Sequence, residues 1–436
     1  MKLGLLTSLL ALAAAGCADA ADGTTIPDES VGTTSAAVSA LEQVASFGTN
    51  PGKLNMYRYV PPSIGPNAPL VLALHGCTQG AADMVNAGWN ALADKYKFFV
   101  VYPETTATNN PYKCFNWAGI YGDPTIMHRN QGENASIKQM VDKMAADFQI
   151  DTKRVYAMGF SAGAAEIPLL LSTWPDVFAA GVTFAGIPYD CAESVAGAYT
   201  CQKPGVDKAA ADWGKLALAG DTGYAGPWPR VSIWQGTSDG TVDPSNTTQM
   251  MRQWTAVHGL PQTPSETDTV QGYPHAVYKD ASGVVQVETY AITGKDHGTF
   301  IDPTNGCGTA ASTYFIDAKI CGVEYAAKFF GLEGPAATGD GGASSSGGSS
   351  GAPADGGKPG AGGYGGSSGT SGASGSSSGS SAATPDAGTF GGTPQGGCGL
   401  AGCTVASSTT TNLGGVAFGA LFALAGLRRR ARKTET

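Results

Sequence analysis

Between residues 69 and 292 the chain alternates short, mostly apolar runs with longer helix-like segments. Residues 70–74, 98–102, 154–158, 179–184 and 230–234 have the length and apolar content of strands buried on both faces. Residues 81–96, 134–148 and 247–257 read as helices, and residues 162–171 are compatible with one. A strand followed by a helix and another strand pairs in parallel, because the crossover returns the chain to the same end of the sheet. Residues 276–292 read as a hairpin turning at Asp280-Ala281-Ser282-Gly283. The pattern predicts one α/β domain over residues 46–332, a doubly wound, mostly parallel sheet whose ligands meet it at the carboxyl ends of the strands.

Outside that stretch the pattern changes character. Residues 1–17 have a charged start, an apolar segment and small residues before Cys17, which is the form of an export signal. Ala14-Ala15-Gly16-Cys17 resembles a bacterial lipobox, which would make Cys17 the lipidation site. Residues 18–45 are small and polar and read as a tether. Residues 333–397 are rich in Gly, Ser, Ala and Pro and cannot bury enough surface to fold, so they are expected to be a disordered spacer. Residues 398–436 carry Cys398 and Cys403, an apolar run of 15 residues from 413 to 427, and an arginine cluster. That run is shorter than the roughly 20 residues of a stable span, and the whole tail resembles a MYXO-CTERM sorting signal. An ordinary tail anchor is the alternative. Both place the domain at the cell surface or outside the cell, tethered to the envelope or released.

The net charge of −9 and the scarcity of basic residues before the tail exclude a nucleic-acid footprint. Of nine cysteines, six lie within residues 46–332. An even number in an exported chain reads as three disulfides. Neighbour pairing would join Cys77 to Cys114, Cys191 to Cys201 and Cys307 to Cys321, although the sequence leaves the connectivity open. No Cys-x-x-Cys or His-x-x-x-His spacing suggests a metal, and no cofactor is expected.

Gly159-Phe160-Ser161-Ala162-Gly163 joins a predicted strand to a predicted helix, as a nucleophile elbow does. A serine needs a base, an acid to orient the base, and donors for the oxyanion. In the order serine, acid, histidine, the base follows Ser161, and His258, His275 and His297 qualify. His258 ends a predicted helix and reads as a cap. His275 opens the hairpin and could serve either role. His297 occupies a Gly-flanked loop after the last long strand, where a mobile base belongs. Asp239 and Asp243 both follow the strand ending at Trp234. Asp239 is the better orienter, and Asp243 is placed to start the next helix. The loop His75-Gly76-Cys77-Thr78 after an early strand would supply one oxyanion amide, from Cys77, and Ala162 the other. His75 precedes the serine and reads as structural.

Together Leu74-His75-Gly76-Cys77-Thr78, the Gly159–Gly163 elbow, residues 174–181 (Trp-Pro-Asp-Val-Phe-Ala-Ala-Gly) and Gly236-Thr237-Ser238-Asp239 resemble the poly(3-hydroxybutyrate) depolymerase family. That family shares its α/β-hydrolase catalytic domain with acetylxylan and feruloyl esterases, and residues 252–264 are especially similar to the fungal acetylxylan esterases. The resemblance implies a triad of Ser161, Asp239 and His297 and an oxyanion hole at Cys77 and Ala162. In two places this chain departs from the family. Gln235, where His is usual, precedes Gly236, and Asp296, where Gly is usual, precedes His297. The expected activity is that of a monomeric, exported serine esterase acting on a polymeric ester. Acetyl or feruloyl esters of xylan are the first substrate reading and polyhydroxyalkanoate polyester the second. A surface binding protein with an inactive site is the rival from another class.

Overall fold

The computed structural model describes residues 41–119 and 124–334. The segments expected to be an export signal with Cys17, most of the expected tether, nearly all of the expected spacer and the 398–436 tail lie outside the described residues. A single ten-stranded sheet runs in the order β1-β2-β4-β3-β5-β6-β7-β10-β9-β8. Its strands are β1 (Glu42–Val44), β2 (Asn55–Tyr59), β3 (Leu70–Leu74), β4 (Phe99–Glu104), β5 (Val155–Phe160), β6 (Ala180–Phe184), β7 (Arg230–Gly236), β8 (Glu266–Val270), β9 (Tyr273–Lys279) and β10 (Val285–Ile292). From β4 to β10 the neighbours are parallel, and β1-β2 and β9-β8 add antiparallel edges. A separate parallel pair joins β11 (Thr299–Ile301) to β12 (Phe315–Asp317).

Helices α1 (Ala81–Val85), α2 (Trp89–Tyr96), α3 (Gly132–Phe148), α4 (Ala162–Thr173), α5 (Val195–Gln202), α6 (Ala210–Leu218), α7 (Ser245–Val257) and α8 (Gly322–Phe329) complete the domain. Strand side chains alternate between the two faces, so the continuous apolar runs feed two cores. Leu70, Leu72, Val101, Val155, Ala157 and Ile233 pack with Ile137 and Met140 of α3, Ile167 and Leu170 of α4, and Trp254 of α7. Val71, Val100, Tyr156, Met158 and Trp234 pack on the other face with Met84, Trp89, Val323 and Ala326 from α1, α2 and α8. This is the expected α/β-hydrolase architecture.

The helix expected over residues 81–96 is two helices. Gly88 adopts a φ of 105°, and a Cβ there would meet the amide nitrogen of Gly308 at 3.1 Å. The chain must turn at this point to let the 308 loop approach. The hairpin turns where expected, between β9 and β10. The six cysteines form the three neighbour pairs, Cys77–Cys114, Cys191–Cys201 and Cys307–Cys321, a feature of chains that fold in an oxidising compartment.

Candidate active site

β5 ends at Phe160, and Ser161 follows with φ 55° and ψ −119°. That backbone turn reverses the chain into α4 and leaves no room on either side. A Cβ at Gly159 would lie 2.2 Å from the Gly163 carbonyl oxygen, and one at Gly163 would lie 2.5 Å from that of His75. The two glycines therefore let the elbow close and press it against the loop that follows β3.

His297 and Asp239 converge on Ser161 from two other loops. His297 Nε2 lies 2.9 Å from Ser161 Oγ, and His297 Nδ1 lies 2.8 Å from Asp239 Oδ2. All three residues are buried. The carboxylate of Asp239 is fully engaged: Oδ1 accepts the amides of Thr241 and Val242 at 2.8 and 2.9 Å, and Oδ2 also accepts Gln235 Nε2 at 2.8 Å. With the carboxylate accepting, His297 Nδ1 carries the hydrogen and Nε2 presents a lone pair to the serine hydroxyl. The ring of His297 packs 4.8 Å from Phe160 and edge-on, at 6.2 Å, to Tyr314.

Gln235, met in the sequence only as a departure from the family's usual His, touches the acid directly. The available signal was its place four residues before Asp239, at the end of the same strand. Asp243 does hold the start of α7, where its Oδ1 accepts the Ser245 amide at 3.1 Å.

The other histidines have separate duties. His75 is fully buried, with Nδ1 2.7 Å from the Gly76 carbonyl oxygen. The Thr105 amide donates to its Nε2 at 3.1 Å. Burial pushes its imidazole down to about 4, so it is a neutral pin between the β3 and β4 loops. His258 caps α7, its Nε2 3.1 Å from the Pro229 carbonyl oxygen. His275 lies on β9 between Asp268 at 2.7 Å and Glu288 at 3.3 Å and stacks on Tyr290. Both of its ring nitrogens are occupied far from the serine in the chain's topology.

Around the expected oxyanion loop the neighbouring amides are committed. Gly76 N–H donates to Gln79 Oε1, Thr78 N–H to the Tyr112 carbonyl, and Ser161 N–H to the Phe184 carbonyl. Among the described residues the amides of Cys77 and Ala162 donate to no partner.

Each disulfide braces a loop of this constellation. Cys77–Cys114 ties the 75–78 loop to the 105–116 segment. The Cys191–Cys201 loop abuts the acid's loop, with Gln202 Nε2 donating to the Thr241 carbonyl and the Asp243 amide donating to the Gln202 carbonyl. Cys307–Cys321 closes the segment that carries Tyr314. A cleft of about 770 Å³ lined by Ile64, Pro69, Lys97, Arg154 and Leu332 lies at the amino ends of β3 and β5, the opposite edge of the sheet, and is not part of this site. Among the described residues no cluster of three or more His, Cys, Asp or Glu could hold a metal.

The model of the esterase PHB depolymerase family matches residues 54–266. Poly(3-hydroxyalkanoate) depolymerase C of Paucimonas lemoignei is 52% identical over 303 residues, which cover 69% of this chain and 72% of that protein. The chain belongs to the PHB depolymerase family of esterases. Within this family's wider circle, feruloyl esterase B of Talaromyces funiculosus is 32% identical over 266 residues, covering 59% of this chain and 73% of that one. Acetylxylan esterase A of Emericella nidulans is 32% identical over 249 residues, covering 55% and 80%. Among solved structures, the acetyl xylan esterase from Aspergillus awamori matches with a TM-score of 0.57 at 25% identity, over 67% of this chain and 99% of that one. The PHB depolymerase-family chain is thus an α/β-hydrolase that acts on ester bonds.

Proposed function

We propose that this esterase is an exported serine hydrolase that cleaves polyhydroxyalkanoate polyester, with Ser161 as nucleophile, His297 as general base and acid, and Asp239 as its orienter. The observation that carries the substrate is the 52% identity to a poly(3-hydroxyalkanoate) depolymerase over 303 residues, against about 30% for the acetylxylan and feruloyl esterases. That difference reverses the order of the two substrate readings drawn from the sequence.

In the acylation step His297 Nε2 takes the Ser161 proton as Oγ attacks the ester carbonyl. The negative charge on the tetrahedral oxygen is met by the amides of Cys77 and Ala162. His297 then gives the proton to the leaving alkoxide, which departs as the shortened chain's hydroxyl. Water, deprotonated by the same nitrogen, releases the hydroxyacyl group as a carboxylic acid and restores Ser161. Buried Asp239 keeps Nδ1–H in place and stabilises the imidazolium that forms between the two transfers.

The reading further takes residues 46–332 as the catalytic domain, exported by residues 1–17 and tethered to the envelope through Cys17 or the 398–436 tail. The three disulfides support an oxidising destination.

Acyl esters of xylan remain the second reading, favoured by the match to the Aspergillus awamori enzyme over 99% of its length. Incubating the full chain and Ser161→Ala with amorphous polyhydroxybutyrate, acetylated xylan and methyl ferulate separates them. Release of 3-hydroxybutyrate oligomers by the parent alone supports the polyester reading. Release of acetate or ferulate with the polyester untouched overturns it in favour of xylan esters. Equal turnover by Ser161→Ala overturns the nucleophile.

A further inference from the structure

The loops that carry His297 and Asp239 come from different strands, β10 and β7, yet their side chains must stay within hydrogen-bonding distance throughout the reaction. Part of the junction is made by backbone amides. The Thr237 amide donates to the Ile292 carbonyl at 3.1 Å, the Ser238 amide to the Lys295 carbonyl at 2.9 Å, and the Gly294 amide to Thr237 Oγ1 at 2.9 Å. Gly236 permits this contact, since a Cβ there would sit 2.4 Å from the Lys295 carbonyl oxygen.

One side chain spans the junction at the reacting pair itself. Asp296 Oδ1 accepts the His297 amide at 2.8 Å and the Gly240 amide at 3.0 Å. Gly240 directly follows Asp239, and His297 directly follows Asp296. A single carboxylate oxygen therefore fixes the backbone at the acid and the backbone at the base to one point. Two backbone donors on an ionised oxygen are charge-assisted bonds, stronger and shorter than neutral ones.

We propose that Asp296 is a positioning residue that holds the acid and base loops in register, so that the 2.8 Å contact between Asp239 and His297 and the 2.9 Å contact between His297 and Ser161 coexist. The proposal rests on the triad reading above. It deepens that reading, because Asp296 would act on the pair through the two amides it accepts, those of Gly240 and His297. Displacements of about 1 Å at a catalytic group can cost on the order of 100-fold in rate, and the loss of one of several inter-loop ties should cost less.

The test compares Asp296→Ala, Asp296→Asn and Asp296→Glu in the full chain, with p-nitrophenyl butyrate as substrate and thermal midpoints recorded alongside. Asp296→Ala removes the acceptor and is expected to lower kcat about tenfold with KM within about twofold of the parent. Asp296→Asn keeps a carbonyl oxygen at the same reach and should restore kcat to within about threefold. Asp296→Glu retains the charge but carries the acceptor one methylene further, and should lose about fivefold; it decides the matter if Asp296→Ala fails to fold. Full kcat in Asp296→Ala or Asp296→Glu would overturn the clamp. Equal losses in Asp296→Asn and Asp296→Ala would overturn it too, by showing that charge and not acceptance matters. A Ser161→Ala chain that still turns over would instead sink the triad, and so the two failures are distinguishable.

Discussion

Replacing Asp239 with Asn is the most searching perturbation of the site, because it changes one atom and the surrounding hydrogen bonds dictate the outcome. Every group facing the carboxylate is a donor: two backbone amides on Oδ1, and Gln235 Nε2 and His297 Nδ1 on Oδ2. An asparagine must place its carbonyl oxygen on one side and its amide group on the other. The backbone donors of Thr241 and Val242 cannot turn away, so the oxygen goes to them and the NH2 faces Gln235 and His297. Gln235 can rotate its amide and accept through Oε1, an atom that is buried without a partner in the parent, at the cost of the bond from its Nε2 to the Val242 carbonyl. His297 can accept only as the other tautomer, with its hydrogen on Nε2 and pointed at Ser161. A base in that state cannot take the serine proton. A wrong tautomer of this kind lowers kcat by about 10⁴-fold in a serine protease. Here the expected loss in kcat/KM is about 10³- to 10⁴-fold, or about 4 to 5 kcal/mol of transition-state stabilisation. Initial rates on p-nitrophenyl butyrate at pH 8, with Ser161→Ala as the background, would measure it. A loss under tenfold at an unchanged thermal midpoint would refute the tautomer argument and with it the assignment of Asp239.

Three further outcomes follow from the packing. Replacing Cys77 and Cys114 together with Ser opens a loop of 37 residues, which should cost about 4 kcal/mol in urea unfolding by the chain-entropy argument; it should also lower kcat more than it raises KM, by freeing the Cys77 amide. His75 binds a proton in the unfolded chain below about pH 6.5 but in the folded protein only near 4. Its contribution is therefore complete above pH 6.5 and lost as pH falls toward 4, about 3 kcal/mol in all, and His75→Gln should flatten that part of the stability profile. Glu166 is buried on α4 with Oε2 unpartnered, and burial and then the nearby Glu133 hold its carboxyl well above the usual range. The folded state keeps this proton while the unfolded chain releases it, so stability falls as pH rises above about 4.5. Glu166→Leu should remove Glu166's share of the decline, leaving that of Glu133, whose carboxyl burial raises to about 8, and be about 1 to 3 kcal/mol more stable at pH 8.

Much of this architecture was legible because buried parallel strands advertise themselves. The runs at β3 and β5 are apolar on both faces and that at β7 is largely so, and all are short, as strands are. The edges were not legible for the complementary reason. β8, with the sequence Glu-Thr-Asp-Thr-Val, is almost wholly exposed and exists because β9 offers it hydrogen bonds, not because its residues seek burial. Likewise Gly88 breaks the first helix in answer to the 308 loop, a tertiary neighbour far away in sequence. At the site, Ser161, Asp239 and His297 could be ranked from order and loop position, since the chemistry restricts which residue types can serve and in what sequence. The contacts of Gln235 and Asp296 could not. Both are common polar residues whose meaning lies in which amides they meet, and that depends on two loops closing against each other.

The elbow also bears on how firmly the whole molecule can be built. A side chain at φ 55° and ψ −119° sits where L-residues cost on the order of 1 to 3 kcal/mol, and glycine would sit there without that strain. Position 161 is therefore a place where folding and the proposed catalysis favour opposite residues: the more relaxed backbone belongs to glycine, which has no Cβ and so no hydroxyl to offer. Ser161→Gly is expected to relieve backbone strain while removing the hydroxyl on which the proposed mechanism depends, a trade of turnover for stability.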